Sequence, residues 1–222
     1  SEITDEWKKS SAYGNLSKIL MGKGKMRESL KVASEITDAY KKSEAYASIS
    51  KVLIEQGAKE ESLRVASEIT DERKKSEAYA SISKTLMDQG AKEESLFVAS
   101  EITNEDETVT ARDDAYSYIS KVLIEQGEKE ESLRVASEII KEGEKSEAYA
   151  NISKTLMDQG EKEESIRIAS KITDESIKCR AYANISKLLM EQGENSESQS
   201  AMQKSLRIAS EIRDENIKVK SY

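Results

Sequence analysis

The hydrophobic and polar positions of this chain fall into a recurring frame, one copy of which, AYASISKVLIEQG, occupies residues 45–57. At about 100° per residue, Tyr46, Ile49, Ser50 and Leu53 share one stripe, flanked by Ala45 and Val52 on one side and by Ala47 and Ile54 on the other. Only Glu44, Ser48, Lys51 and Glu55 are left, and they cluster on the opposite pole. An apolar arc this wide, with one narrow polar stripe, predicts a helix packed by other helices on several sides. The following segment, KEESLRVASEIT at 59–70, predicts a second helix. Its apolar face is Ser62, Leu63, Val65, Ala66 and Ile69, and its broad polar back of Glu60, Arg64, Ser67 and Glu68 is the pattern of an outer helix. Gly57 stands where a left-handed residue ends the first helix, and Asp38 and Asp71 stand where an N-cap opens the next one. No stretch alternates with period two over a useful length, so the chain reads as all-α.

The frame occurs six times. Its tyrosines are Tyr13, Tyr46, Tyr79, Tyr116, Tyr149 and Tyr182, at spacings of 33, 33, 37, 33 and 33 residues, and the glycines keep the same spacing from Gly24 to Gly193. One hairpin cannot bury its own apolar face, so the expected architecture is a row of αα-hairpins stacked as a solenoid. The expected organisation is a single domain over 1–222. Its repeats run approximately over 5–37, 38–70, 71–107, 108–140, 141–173 and 174–213, with a partial seventh at 214–222.

Two insertions interrupt the register: four residues within NEDETVTARDD (104–114) and seven within ENSESQSAMQKS (194–205). They are close to one and two helical turns, so either lengthens a helix without rotating its apolar face. Loop variation, a local change of twist and an extra contact surface near Met202 are the readings they admit. The opening SEITDEW repeats the end of a second helix, SEITDAY at 34–40, so the chain begins and ends inside repeats. A segment of a longer array, or self-association through exposed solenoid ends, is expected.

Charge narrows the partners. With 43 acidic and 35 basic side chains the net charge is −8, which argues against nucleic acid or anionic lipid as the main partner. No apolar run approaches the ~18 residues of a membrane span. Histidine is absent, which removes the commonest general base and metal ligand. Cys179 is the only cysteine; it sits beside Lys178 and Arg180, has no base nearby, and cannot form an intrachain disulfide. There is no Gly-rich phosphate loop, and the carboxylates recur in every repeat where a catalytic pair would be unique. The expectation is a non-enzyme with no catalytic residue, metal or cofactor. A lone cysteine and the lack of a leader pattern suggest a cytoplasmic protein; a secreted bacterial effector acting in a host cytosol is the alternative.

The hairpins resemble tetratricopeptide repeats. Counting back from the glycine, Tyr46, Ile49, Ser50 and Leu53 stand where that family has Trp, Leu, Gly and Tyr; counting forward, Ser62 and Ala66 take the places of its small residue and its aromatic. The usual period is 33 rather than the family's roughly 34, and the inter-repeat proline is missing. The resemblance implies a right-handed superhelix of about six repeats whose concave groove is lined by the polar stripe of the first helices.

Mapped residue by residue, the groove carries Glu44, Ala47, Ser48, Lys51, Ile54 and Glu55 with their equivalents. The resemblance makes it a binding surface for a protein or peptide. Its candidate residues are Asn15, Lys18, Ser48, Lys51, Ser81 and Lys84 in the first three repeats. Tyr118, Lys121, Asn151, Lys154, Asn184 and Lys187 follow in the last three. Asn15, Asn151 and Asn184 share the position of Ser48, where family members often hold a ligand's backbone. The lysines also have a plainer role, because Lys51–Glu55 and its equivalents are i,i+4 pairs, worth about 0.3–0.5 kcal/mol each when exposed. Two acids to one lysine on most stripes predict a mixed, mildly acidic groove, which argues against a clamp for acidic C-termini. The Met/Ile ladder beside the stripe (Met21, Ile54, Met87, Ile124, Met157, Met190) predicts packing between repeats. The function expected is a non-enzymatic protein- or peptide-binding scaffold; a structural or self-associating spacer within a longer protein is the alternative.

Overall fold

The structure is a computed structural model that describes residues 2–103 and 110–219, with side chains for 6–103 and 110–211. The described chain is helical and forms two compact units, Ser1–Ala115 and Tyr116–Tyr222. The first holds α1 (Glu2–Gly22), α2 (Met26–Ser34), α3 (Ala39–Glu55), α4 (Lys59–Ser67), α5 (Glu72–Asp88) and α6 (Lys92–Ser100). The second is built from α7 (Ala111–Glu125), whose first turns precede its boundary, and from α8 (Lys129–Ser137), α9 (Glu142–Asp158), α10 (Lys162–Ser170), α11 (Glu175–Glu191) and α12 (Asn195–Val219). Within each unit a first helix packs on its own second helix and beside the first helix of the next hairpin, which is solenoid stacking. Residues 104–109, which hold most of the first insertion, lie outside the described residues.

Each hairpin is made by the signals the sequence carries. Gly57 sits at φ +79°, the left-handed conformation that glycine adopts without a side-chain clash. It donates to Ile54 O at 3.0 Å while Ala58 N donates to Leu53 O at 2.9 Å, so two orphan carbonyls of α3 are satisfied before α4 begins. Asp38 and Asp71 cap α3 and α5 by accepting from Lys41 N and Lys74 N, both at 2.8 Å. The open ends of several hairpins are tied as well: Ser43 Oγ meets Thr70 Oγ1 at 3.4 Å and accepts from Asp71 N at 3.2 Å. Ser146, Thr173 and Asp174 repeat the arrangement, with both distances 3.1 Å.

The core follows the predicted faces. Ile49, Leu53, Ile82, Leu86, Ile119, Leu123, Ile152 and Leu156 are all buried, each contributing roughly 1.5–3 kcal/mol over exposure. Where first and second helices cross, both contact residues are serine. Ser62 Oγ donates to Ser50 O at 2.7 Å; the equivalent bond joins Ser95 to Ser83 (2.8 Å), Ser132 to Ser120 (2.6 Å) and Ser165 to Ser153 (2.7 Å). A side chain this small lets the backbones approach, and its buried hydroxyl finds a carbonyl in the facing helix.

The last hairpin departs from the others. The seven inserted residues lie in α12, which runs on through the position where earlier hairpins break at Thr-Asp. Ser198 pairs with Ser186, donating to its carbonyl at 2.8 Å, as Ser165 does with Ser153. Seven residues later Ser205 repeats the contact further along α11, donating to Cys179 O at 3.1 Å. Ala201 and Ile208 are likewise seven apart and both buried. Seven residues are about two turns, so the insertion extends the packed face of α12 rather than displacing it.

Candidate functional site

The polar pole of each first helix stays accessible. In the first unit Asn15, Lys18 and Lys51 are exposed, and Ser48, Ser81 and Lys84 half-buried. The stripes of α1 and α3 meet at Glu44, which takes Lys18 Nζ at 3.4 Å on one oxygen and Lys41 Nζ at 3.0 Å on the other. The hydrogen bond from Lys41 outweighs partial burial and, with the charge of Lys18, holds the Glu44 carboxyl below its ordinary range. Lys41 and, from α5, Lys74 also lie over the ring of Tyr40, each 5.8 Å from its centroid. Ser48 turns its hydroxyl inward, donating to Glu44 O at 2.9 Å within its own helix.

In the second unit Tyr118 is half-buried and Lys121, Asn151, Lys154, Asn184 and Lys187 are exposed. The structure brings Asn151 and Lys154 of α9 and Asn184 of α11 around one pocket of about 290 Å³. Ala150, Ile185 and Leu188 supply its apolar wall, and Glu147 and Arg180 its rim. Arg180 Nη2 reaches both Glu147 oxygens, at 2.5 and 2.6 Å, and that hydrogen-bonded carboxylate raises the pKa of the guanidinium. Glu147 is the counterpart of Glu44 on the predicted stripe, whereas the change of charge at Arg180 is a signal the stripe pattern alone does not carry. Arg180 stands at the position of Glu44, Glu77, Asp114 and Glu147, so it reverses an otherwise acidic register.

Of the intrahelical pairs expected along the stripe, Lys121–Glu125 and Lys187–Glu191 form at 3.9 Å, the loose end of an ion pair; Lys18, which has Gly22 four residues on, pairs with the next hairpin. The expectation that Ile54 faces the groove is corrected. Ile54 is fully buried, and the Gln89 side chain of the next hairpin donates to its carbonyl at 3.1 Å. Gln159 does the same to Ile124 at 3.2 Å. Met21, Ile54, Met87, Ile124 and Met157 all pack inside, whereas Met190 is 59% exposed. Cys179 is half-buried and in hydrogen-bond contact with Ser205 Oγ at 3.3 Å. Among the described residues no group of three or more acidic or cysteine side chains is arranged to hold a metal ion. No helix among them is long and apolar enough to cross a membrane.

Residues 180–212 match the family model of the tetratricopeptide repeat. The preceding hairpins repeat that segment's helix–glycine–helix frame, and the chain is a tetratricopeptide-like helical-repeat protein. No curated protein shows significant sequence similarity to it. Among solved structures it is similar to YrrB, a tetratricopeptide-repeat protein with an unusual peptide-binding site (14% identity over 74% of this chain and 84% of that one, TM-score 0.38). It is also similar to a point variant of the nearly identical TPR-like repeats from a Podospora anserina protein named as a kinesin light chain (9% identity over 92% and 96%, TM-score 0.39). A circular tandem repeat protein of novel topology matches at 11% identity over 95% of this chain and 41% of that one, with a TM-score of 0.18. At such scores these likenesses carry no argument. Repeats of this type generally mediate protein–protein interaction.

Proposed function

We propose that the chain is a protein- or peptide-binding scaffold that takes an extended segment of its partner along the polar stripe of the first helices. The pocket between α9 and α11 is the point of tightest hold. The supporting observation is the convergence there of Asn151, Lys154 and Asn184, three residues that the family resemblance places in the groove, around a cleft with an apolar wall. Two side-chain amides offer a donor and an acceptor each to a peptide main chain, and the apolar wall takes one side chain. Arg180, already held by Glu147, keeps its orientation when a ligand arrives, so little ordering entropy is lost.

The test is selection of peptides from a displayed library on the whole chain, followed by titration of the best binder. Asn151→Leu combined with Asn184→Leu removes the amides at exposed positions, where the fold tolerates the change, and binding is expected to weaken at least about tenfold. Unchanged affinity in that variant removes the stripe as the binding surface. The near identity of the repeats favours a second reading, a self-associating spacer. Mass that rises with concentration, with no peptide selected, supports the spacer over the scaffold.

A further inference from the structure

A second cavity, of about 490 Å³, lies in the same unit where the N-terminal half of α11 meets α12 and the end of α10. Its charged lining is Lys171, Lys178, Lys204 and Arg207 against Glu175 and Glu211, an excess of two positive charges in a chain of net charge −8. The pocket between α5 and the turn after α6 is lined by Glu72, Lys75 and Glu101, with a net negative charge.

The excess comes from two reversals of the repeat. Lys171 stands where Glu35, Glu68, Glu101 and Glu138 stand in the preceding hairpins. Aligned from Leu206 backwards, Lys204 stands where the chain has Glu28, Glu61, Glu94, Glu131 and Glu164. In three of those hairpins that glutamate engages an arginine three residues on: Glu61–Arg64 at 2.5 Å, Glu131–Arg134 at 2.6 Å, and Glu164–Arg167. With Lys204 in its place, Arg207 has among the described residues only the loose ion pair with Glu211 at 3.7 Å, and Lys204 lies over the Tyr182 ring, 5.4 Å from its centroid. Neither Lys171 nor Lys178 makes an ion pair among the described residues. The seven-residue extension of α12 brings both reversals to one cavity. Four cations gather here in one lining with Tyr182 and Ile208.

We infer that this cavity is a docking site for an acidic segment of a partner protein, distinct from the α9–α11 pocket and independent of the function proposed for it. Charge complementarity selects the occupant: four cations in one lining, with an excess of two positive charges, suit an extended run of carboxylates. Tyr182 and Ile208 give the segment's stems an apolar floor.

The probe is a fluorescein-labelled oligoglutamate peptide, titrated into the whole chain by anisotropy at low and physiological salt, with oligoglutamine as control. Saturable binding of oligoglutamate alone, weakening with salt, is expected. Lys171→Glu with Lys204→Glu restores the residue of the earlier hairpins, so the variant keeps a sequence this fold already accommodates. It should lose affinity at least about tenfold, while Lys23→Glu with Lys31→Glu, the same charge change at exposed positions outside both sites, leaves the affinity unchanged. Equal affinity in the restored variant, or an equal loss in the Lys23/Lys31 variant, overturns the inference. So does displacement of the peptide by an equal concentration of inorganic phosphate, which would make the site one for a free anion.

Discussion

The hydroxyl of Ser62 donates to the main-chain carbonyl of Ser50 across the crossing of α4 and α3, at 2.7 Å and with both residues out of reach of solvent. The contact joins two demands, a residue small enough for backbone approach and a polar atom that is satisfied once buried. Separating them gives the first prediction. Ser62→Ala keeps the size and removes the hydroxyl, and since Ser50 O keeps its helical environment the cost should be about 0.5–1.5 kcal/mol. Ser62→Leu pushes the helices apart and should cost about 1–3 kcal/mol or more. Urea unfolding gives the totals. Amide exchange should place the leucine effect in α3 and α4, because neighbouring hairpins couple only through their shared faces. Equal costs for the two variants would mean that the crossing is not close-packed.

Gly57 provides a separable backbone test. Its φ of +79° is strained for an L-residue, yet a Cβ added there meets nothing within 4 Å. Gly57→Ala should therefore cost about 1–2 kcal/mol from the left-handed conformation alone, and Gly57→Asn distinctly less. A larger loss for Asn than for Ala in thermal unfolding would indicate a steric cause.

The response to pH follows from groups at both ends of the scale. Glu44, Glu61 and Glu164 are held below the ordinary value of 4.5 by hydrogen bonds from Lys41, Arg64 and Arg167. A carboxyl depressed in the folded state contributes stability above its unfolded value and loses it as the pH falls through the folded one. Burial raises Tyr46, Tyr79, Tyr149 and Tyr182 above 10.0, so their contribution is of the opposite sign: burial opposes ionisation, and the folded state is disfavoured progressively as the pH rises past 10.0 toward the raised values. The chain has no histidine to titrate between. The melting temperature should hold a plateau across neutral pH and fall on both sides. The acid limb should be shallow and flattened by salt, because those carboxyls are only partly buried and remain in reach of solvent. A step between pH 6 and 7 would contradict this.

The helices, their caps and the buried faces were legible because each is set within a single repeat: the period, Gly57, Asp38 and Asp71 carry them locally. Ile54 has its place in the ladder that packs between repeats and not in the groove, because the next hairpin, whose Gln89 donates to the Ile54 carbonyl, supplies cover that one helix in isolation does not reveal. Met190 fills the same register and stays exposed, which sequence equivalence alone conceals. In the candidate site, Asn151, Lys154, Asn184 and Glu147 follow from the stripe together with the family resemblance, but the reversal at Arg180 shows only when that residue is compared with its counterparts. Lys171 and Lys204 are of the same kind. In a near-identical array the information lies in the departures, since the common residues are occupied with stacking.

The insertion in α12 gives the last prediction. Deleting residues 199–205 joins Ser198 to Leu206 and leaves ENSESLRIASEI, the pattern of EKEESIRIASKI in the preceding hairpin. Seven residues turn a helix by about 700°, some 20° short of two turns, so the apolar face that meets α11 is preserved. Ser198 should keep its bond to Ser186, and Ile208 should take over the place of Ala201 as Ile168 holds it in α10. What is lost is the second contact set, in which Ser205 lies against Cys179. The shortened chain should fold cooperatively and lose about two turns of helix by circular dichroism, and its Cys179 should react faster with a thiol reagent than in the intact protein. Failure to unfold cooperatively would mean that the extension holds the hairpin together. An unchanged thiol rate would mean that Ser205 does not shield the cysteine.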